Sequence, residues 1–385
     1  MNAPLHTLNT VGGAALPITV QSAEGALMWD TNGKTYWDFY GGHAVTLIGQ
    51  AHPVWIGALT QQAKSLSFFT GLAPVPVRTE AASRLCAFTG MDVAWFVNSG
   101  AEANEAALKI ARKATGRPVM IAMVNGFHGR TMGALGVTWK YRDQHAPAHG
   151  STIFVPFGDL EALAMAMGPD VAGVIVEPIQ GIAGIVEPPE GYLAGVAALC
   201  AANGSILICD EIQCGVGRTG CPLVSTHQGV TPDIVTVGKG VGGGFPVAAV
   251  LLSQQMASTV GAGEHGTTFG GAPLACAAVN ATLSIIEREE LMSKAQILGQ
   301  AIHHALGPIN GVLEVRGAGA WIGVRLSIVA KHVIAGLLAR GFMVGGSSDP
   351  HVLRLSPPAI MPLSAVPLLA QSLQQVLSAS LVEAA

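Results

Sequence analysis

Seven short apolar runs recur along one stretch of the chain. They are VAWFV (93–97), VMIAM (119–123), TIFVPF (152–157), VAGVIVEP (171–178), ILICDE (206–211), DIVTVGK (233–239) and VAAVLLS (247–253). They are continuous rather than alternating, and rich in Val and Ile. Strands of that kind are buried on both faces, as in a parallel sheet covered by helices on either side. Most intervals between the runs are long enough for a crossover helix. The exception is GVGGGFP after Lys239, which suits a tight turn, so one strand is expected to be antiparallel. The fold class that follows is α/β, with a mainly parallel seven-stranded sheet in a large domain.

From about residue 281 the pattern changes. Helical stretches (ATLSIIEREELMSKAQILGQAIHHAL) precede VLEVRGAGAWIGVRL, a further helix (AKHVIAGLLARG), HVLRLSPP and a last helix near 363–380. This reads as a smaller α+β domain. Near the start, ALMWDTNGKTYWDFYGG has an Asn-Gly hairpin signal between two β-like runs. The expected division is an N-terminal segment (1–45) packing with the small domain, a large domain (46–280) and a C-terminal small domain (281–385). No internal repeat or low-complexity linker interrupts it.

Composition narrows the possible functions. Only 11% of the 385 residues are charged and 50% are hydrophobic, which argues against disorder and suggests surface buried between subunits. A net charge of −4 without a basic cluster argues against nucleic acid as a partner. No window reaches 18 uninterrupted apolar residues, so no membrane-spanning helix is expected. The start, MNAPLHTLNTVGG, has no signal-peptide pattern, and a cytoplasmic location follows. Four of the six cysteines crowd between Cys200 and Cys221, but their spacing matches no zinc pattern. Reduced thiols and no metal are the expectation.

In open α/β sheets ligands bind beyond the carboxyl ends of strands, and Glu177, Asp210 and Lys239 all stand at such ends. An amine there can form a Schiff base with an aldehyde cofactor, and a carboxylate can pair with the cofactor's ring nitrogen. That combination points to pyridoxal phosphate. Lys239 is the one lysine of eight that closes an apolar run leading into a glycine-rich turn. Burial should lower its pKa and favour Schiff-base chemistry. Asp210 would be costly to bury without a cationic partner. The plainer alternatives are a snorkelling lysine and a strand-end acid facing solvent; the neighbouring Glu211 fits the latter description.

Ser99-Gly100-Ala101 follows one apolar run and opens the helix AEANEAALKIARKA, where Ala103, Ala106, Ala107, Ile110, Ala111 and Ala114 form a small apolar stripe. Free N–H groups and the positive end of the helix dipole would suit a phosphate, although an ordinary capped helix has the same pattern. In Phe127-His128-Gly129-Arg130 an aromatic ring could stack on the cofactor and Arg130 could clamp a carboxylate. Arg354 is a second such clamp. A lone arginine is more often a surface ion-pair partner.

Together these segments resemble the class III, or ornithine-type, pyridoxal-phosphate aminotransferases, and most closely their acetylornithine branch. The matching stretches are NSGAEANEAALKIAR, FHGRT, VEPIQG, DEIQCGVGRTG, TPDIVTVGKGVGGGFP, HGTTFGGAPLACA and RGAGAWIGV, in the family's order from 98 to 324, with WDTNGKTYWDFYGGHAV and LRLSPP as flanks. The resemblance implies a fold-type I homodimer with active sites at the subunit interface. It implies Lys239 and Asp210 as the catalytic pair, with Ser99, Gly100, Ala101, Phe127, His128 and Gln213 around the cofactor. Thr268 would reach the phosphate from the other subunit. Arg130, Thr267 and Arg354 would bind substrate, and Glu177 would belong to the strand-end network. The implied reaction moves the ω-amino group of an N-acetylornithine-type donor to 2-oxoglutarate, giving a semialdehyde and glutamate in arginine biosynthesis.

One departure bears on the donor. The family usually reads EPIQGE, and this chain has Ile182 in place of the second glutamate. In relatives that glutamate pairs with the arginine matching Arg354. Its loss leads to the expectation of a donor with a second anionic group, such as an N-succinyl tail, or of relaxed donor choice; the alternative is another residue that shields Arg354. Ornithine, 4-aminobutyrate, lysine or aminomutase chemistry would use the same scaffold. A non-catalytic binding protein of this fold would be expected to lack Lys239 or Asp210. Ala272 and Gln50 also differ from the usual pattern, with no function attached.

Overall fold

The computed structural model describes residues 16–141 and 151–383. The N-terminal stretch read above for a signal peptide lies outside these residues. The first described elements are β1 (Val20–Glu24), β2 (Leu27–Asp30) and β3 (Thr35–Asp38), which form an antiparallel meander. The Asn-Gly turn joins β2 to β3: Gly33 takes φ 76°, and Asp30 Oδ1 accepts the N–H groups of Asn32 and Lys34 at 2.9 Å each.

Each of the seven apolar runs becomes a strand. They are β4 (Val93–Val97), β5 (Val119–Met123), β6 (Thr152–Val155), β7 (Val171–Val176), β8 (Ile206–Asp210), β9 (Ile234–Val237) and β10 (Ala248–Leu252). They form one seven-stranded sheet in the order β4-β10-β9-β8-β7-β5-β6. The antiparallel strand is β10, paired with both β4 and β9; the other pairs are parallel. The ten-residue link from Gly238 to Val247, which contains GVGGGFP, is too short for a parallel crossover, which fixes that reversal.

Successive side chains of the central strands enter different cores. Ala172, Ile175, Ile208, Ile234, Ala248 and Val250 face the alanine stripe of the helix Gly100–Thr115. Val174, Val176, Leu207, Cys209, Val235 and Leu251 pack with Tyr192, Leu193 and Val196 of the helix Tyr192–Asn203. A strand sandwiched in this way has no polar face, hence its continuous apolar run.

The C-terminal part contains β11 (Val312–Ala318), β12 (Trp321–Leu326), β13 (Phe342–Met343), β14 (Gly345–Gly346) and β15 (Val352–Leu355). Four of these form an antiparallel sheet in the order β11-β12-β15-β14, with the helices Leu291–Leu306, Ala330–Ala339 and Ala365–Glu383 beside it. The fifth, β13, pairs parallel with β3 through Phe342 and Trp37, which ties the N-terminal meander to this part. The helical stretch after 281 breaks at Glu289–Glu290, where Glu290 takes φ 53°. The helix before the break, Pro273–Arg288, runs through residue 280 without interruption.

Candidate active site

Because β7, β8 and β9 are adjacent and parallel, their carboxyl ends share one edge of the sheet. Glu177 follows β7, Asp210 ends β8, and Lys239 stands two residues after β9. Lys239 takes φ 46°, an uncommon conformation for a residue with a side chain, and opens a single tight turn, Lys239–Gly242. It keeps some exposure, yet the protein around it lowers its amine from 10.5 to about 8. Burial is the main cause; the charge of Arg354 acts the same way, while Asp210 and Glu177 oppose it.

Asp210 is 4% exposed. Its Oδ2 accepts His128 Nδ1 and Asn104 Nδ2, both at 2.8 Å, and its Oδ1 accepts the Ile212 N–H at 3.1 Å. Asn104 is not among the residues singled out from the sequence. Its signal is a polar residue on the alanine stripe of a buried helix face.

Glu177 is also buried. Its two oxygens accept the backbone N–H groups of Phe127 (2.9 Å) and Gly181 (3.0 Å). Burial raises its pKa from 4.5 to about 7; the His128 charge opposes this and Asp210 adds to it. The reading of Glu211 as a solvent-facing acid is corrected. Glu211 is fully buried, and its carboxylate accepts the N–H groups of Val224 (2.7 Å) and Ser225 (2.8 Å) and the Ser225 hydroxyl (2.5 Å). Those donors start the helix Val224–His227, a contact that the local pattern around Glu211 does not announce.

Ser99 caps the helix Gly100–Thr115 by accepting the Glu102 N–H at 3.2 Å. A Cβ on Gly100 would stand 2.8 Å from Ile212 Cδ1, and one on Gly238 would stand 3.7 Å from Gly100 Cα, so the helix start adjoins the backbone that carries Lys239. Ala101 lies against Gly129 of the FHGR segment, and Gln213 is buried against Gly181. The Phe127 ring meets Tyr141 edge-on, with centroids 6.4 Å apart, and the Arg130 guanidinium lies 4.5 Å from the Tyr141 centroid and 5.9 Å from that of Phe127.

Arg354 on β15 is 7% exposed, and its Nε donates to Gly346 O at 2.6 Å. Among the described residues no carboxylate forms an ion pair with it. Ile182 O accepts the Ser348 N–H at 2.8 Å, so Ile182 and Arg354 hold the same turn. Tyr40 and His43 complete this side, and the sequence does not mark them. The Tyr40 hydroxyl bonds a ring nitrogen of His43 at 2.5 Å. Burial, then the charges of Arg354, Lys239 and Arg130, lower His43 to about 4. Gly41, Gly42, His43 and Ala44 all take positive φ. Their turn is held by Asp38, which accepts the Gly41 N–H at 2.7 Å, and by buried Arg218, which donates to Ala44 O at 3.3 Å.

The two threonines divide. Thr267 Oγ1 accepts Asn98 Nδ2 at 2.8 Å, beside Ser99. Thr268 is exposed, next to Phe269, which is 62% exposed and touches Phe68 with ring centroids 5.3 Å apart. Thr268 therefore has no described contact with the strand-end cluster of its own chain.

This donor set suits pyridoxal phosphate. It offers an amine of lowered pKa, a buried carboxylate whose Oδ1 has accepted only one N–H, and a helix start that the Gly100 backbone can approach closely. The sequence matches the family Aminotransferase class-III over residues 9–377. Acetylornithine aminotransferase of Streptomyces coelicolor is 44% identical over 359 residues, covering 91% of this chain and 88% of that protein. Its Mycobacterium tuberculosis counterpart is 40% identical over 353 residues, covering 90% and 88%. Among solved structures, ornithine aminotransferase from Toxoplasma gondii, described with partial occupancy of PLP at its active site, superposes with a TM-score of 0.90 at 31% identity, covering 96% of this chain and 93% of that one.

Proposed function

The chain belongs to the class-III aminotransferases, pyridoxal-phosphate enzymes, and from that membership we propose that it moves the ω-amino group of an N-acetylornithine-type donor to 2-oxoglutarate, giving a semialdehyde and glutamate in arginine biosynthesis. The observation that carries the reading is the gathering of Glu177, Asp210 and Lys239 at the carboxyl ends of three adjacent parallel strands.

When bound, pyridoxal phosphate supplies an aldehyde that takes up an amino group and a ring that draws off electrons. The chain's own residues do the rest. Lys239 Nζ takes the proton from the donor's amino-bearing carbon and returns one when 2-oxoglutarate is converted. Asp210 would pair with the ring nitrogen, with His128 behind it. Ser99, Gly100 and Ala101 would offer the helix start to the phosphate, Phe127 would flank the ring, and Gln213 would meet its phenolic oxygen. Arg130 and Arg354 bind carboxylates, with Thr267 beside the substrate. Glu177 holds Phe127 and Gly181 in place.

A homodimer fits the exposed apolar groups. Leu72 is 91% exposed, Phe68, Phe69 and Phe269 are exposed, and the helix Pro53–Ser65 buries none of its residues in the monomer. Patches of this kind mark interfaces. In such a dimer Thr268 would serve the phosphate of the partner's site. We divide the chain at 1–45, 46–280 and 281–385. No helix among the described residues is long and apolar enough to cross a membrane, and we assign the enzyme to the cytoplasm.

A second reading of the donor is favoured by Arg354. With Ile182 in place of a carboxylate, and no carboxylate ion-paired to it among the described residues (Tyr40, Glu177 and Tyr141 act on it through charge alone), Arg354 stays available to an anion in both halves of the reaction. A donor with an anionic acyl tail, such as N-succinylornithine, would use it. Turnover of N-acetylornithine, N-succinylornithine, ornithine, 4-aminobutyrate and lysine with 2-oxoglutarate tests both readings. Clear preference for N-acetylornithine, unchanged by Ile182→Glu, removes the second; no turnover of any ω-amine removes both.

A further inference from the structure

Asn104 is fully buried in the alanine stripe of the helix Gly100–Thr115, where an unpartnered amide would be costly. Its Nδ2 donates to Asp210 Oδ2 at 2.8 Å and to His128 O at 2.7 Å. A carboxylate and a main-chain carbonyl only accept, so the orientation of the amide is fixed by its surroundings. Its Oδ1 must then accept, and it does so from the buried Thr236 hydroxyl at 2.8 Å.

The same logic fixes His128. Its Nδ1 faces the carboxylate at 2.8 Å and therefore carries a proton. Asp210 Oδ2 thus receives two donors, one from His128 and one from Asn104, while Oδ1 receives the Ile212 N–H alone. Each carboxylate oxygen has two acceptor positions. Oδ2 is filled and Oδ1 is half-filled.

We propose that Asn104 is a positioning residue: by filling Oδ2, it turns the Asp210 carboxylate so that Oδ1 is the oxygen left for the N–H of a cofactor's pyridine ring. Thr236 supports it by holding the amide in the one orientation that can donate to Asp210. Asn104 is fully buried behind Asp210 and acts through it. The proposal rests on the pairing of Asp210 with the ring nitrogen.

The test compares dissociation constants of the apo-protein for pyridoxal phosphate and for its 1-deaza analogue, in which carbon replaces the ring nitrogen. The wild type should bind pyridoxal phosphate at least about tenfold more tightly than the analogue, as expected for one hydrogen bond to a charged group. Asn104→Leu loses the donor, and Asn104→Asp sets a second carboxyl against Oδ2. Both should weaken pyridoxal phosphate by about tenfold while leaving the analogue nearly unchanged, so that the preference collapses. Thr236→Val, a near-isosteric change, should shrink the preference in the same direction, and it serves if the Asn104 variants do not fold. A folded variant that keeps the full wild-type preference overturns the proposal. A wild type with no preference overturns instead the pairing of Asp210 on which the proposal stands.

Discussion

Glu177 Oε1 accepts the Phe127 N–H at 2.9 Å, so the residue that closes β7 holds the backbone of the loop beyond β5. Its pKa of about 7 in the fold stands above the usual 4.5. The folded state therefore keeps a proton that the unfolded chain has lost between pH 4.5 and 7. Stability from this group is full below pH 4.5 and falls as pH rises through 7, by up to about 3 kcal/mol. Glu177→Gln should flatten that part of the curve. Urea unfolding of both apo-proteins from about pH 4.5 to 8 measures it, and parallel curves would refute the assignment.

The lowered amine of Lys239 predicts the pH dependence of cofactor capture. Covalent capture of pyridoxal phosphate needs the neutral amine, so its rate in the apo-protein should rise through about pH 8 and then level off. An ordinary lysine would still be climbing toward 10.5. Stopped-flow absorbance gives the profile. Lys239→Ala should abolish the absorption of the bound form; a rate that keeps rising beyond about pH 10 counts against the lowered amine.

The legible parts of the fold and the hidden ones differ for a physical reason. Strands buried on both faces need apolar side chains at every position, so β7 to β10 stand out as unbroken runs. A charge at the end of such a run, as at Asp210 and Lys239, is conspicuous for the same reason. Asn104 is hidden because its three partners lie 24, 106 and 132 residues away. Glu211 misleads because alternation tells which way a side chain points and not what covers it there. The positive-φ turn at His43 depends on Asp38, Arg218 and the Ser356 carbonyl, which a Cβ on Gly41 would strike. Only the two glycines hint at it.

Glu211 provides a stability prediction separate from the chemistry. Glu211→Ala strips the acceptor from the Val224 and Ser225 N–H groups and the Ser225 hydroxyl, all buried. The loss should be about 3 kcal/mol or more. Cofactor affinity of the folded fraction should stay within about threefold of wild type, because none of these donors reaches Asp210 or Lys239. Paired denaturation and cofactor titration decide it: a large drop in affinity with unchanged stability would place Glu211 in the site.

Gly100→Ala tests whether the helix start must approach the strand ends this closely. The new methyl would sit 2.8 Å from Ile212 Cδ1 and 2.9 Å from its Cγ2, closer than carbon atoms pack. Relief requires the helix start to move outward or Ile212 to shift, at a cost of about 1–3 kcal/mol. Either motion disturbs the site, since Ile212 also lies against Gly238 and donates its N–H to Asp210. Affinity for pyridoxal phosphate should fall together with thermal stability, and adding Ile212→Ala should recover part of both by making room. If Gly100→Ala binds the cofactor as wild type does, the close approach is packing alone and the phosphate does not depend on it.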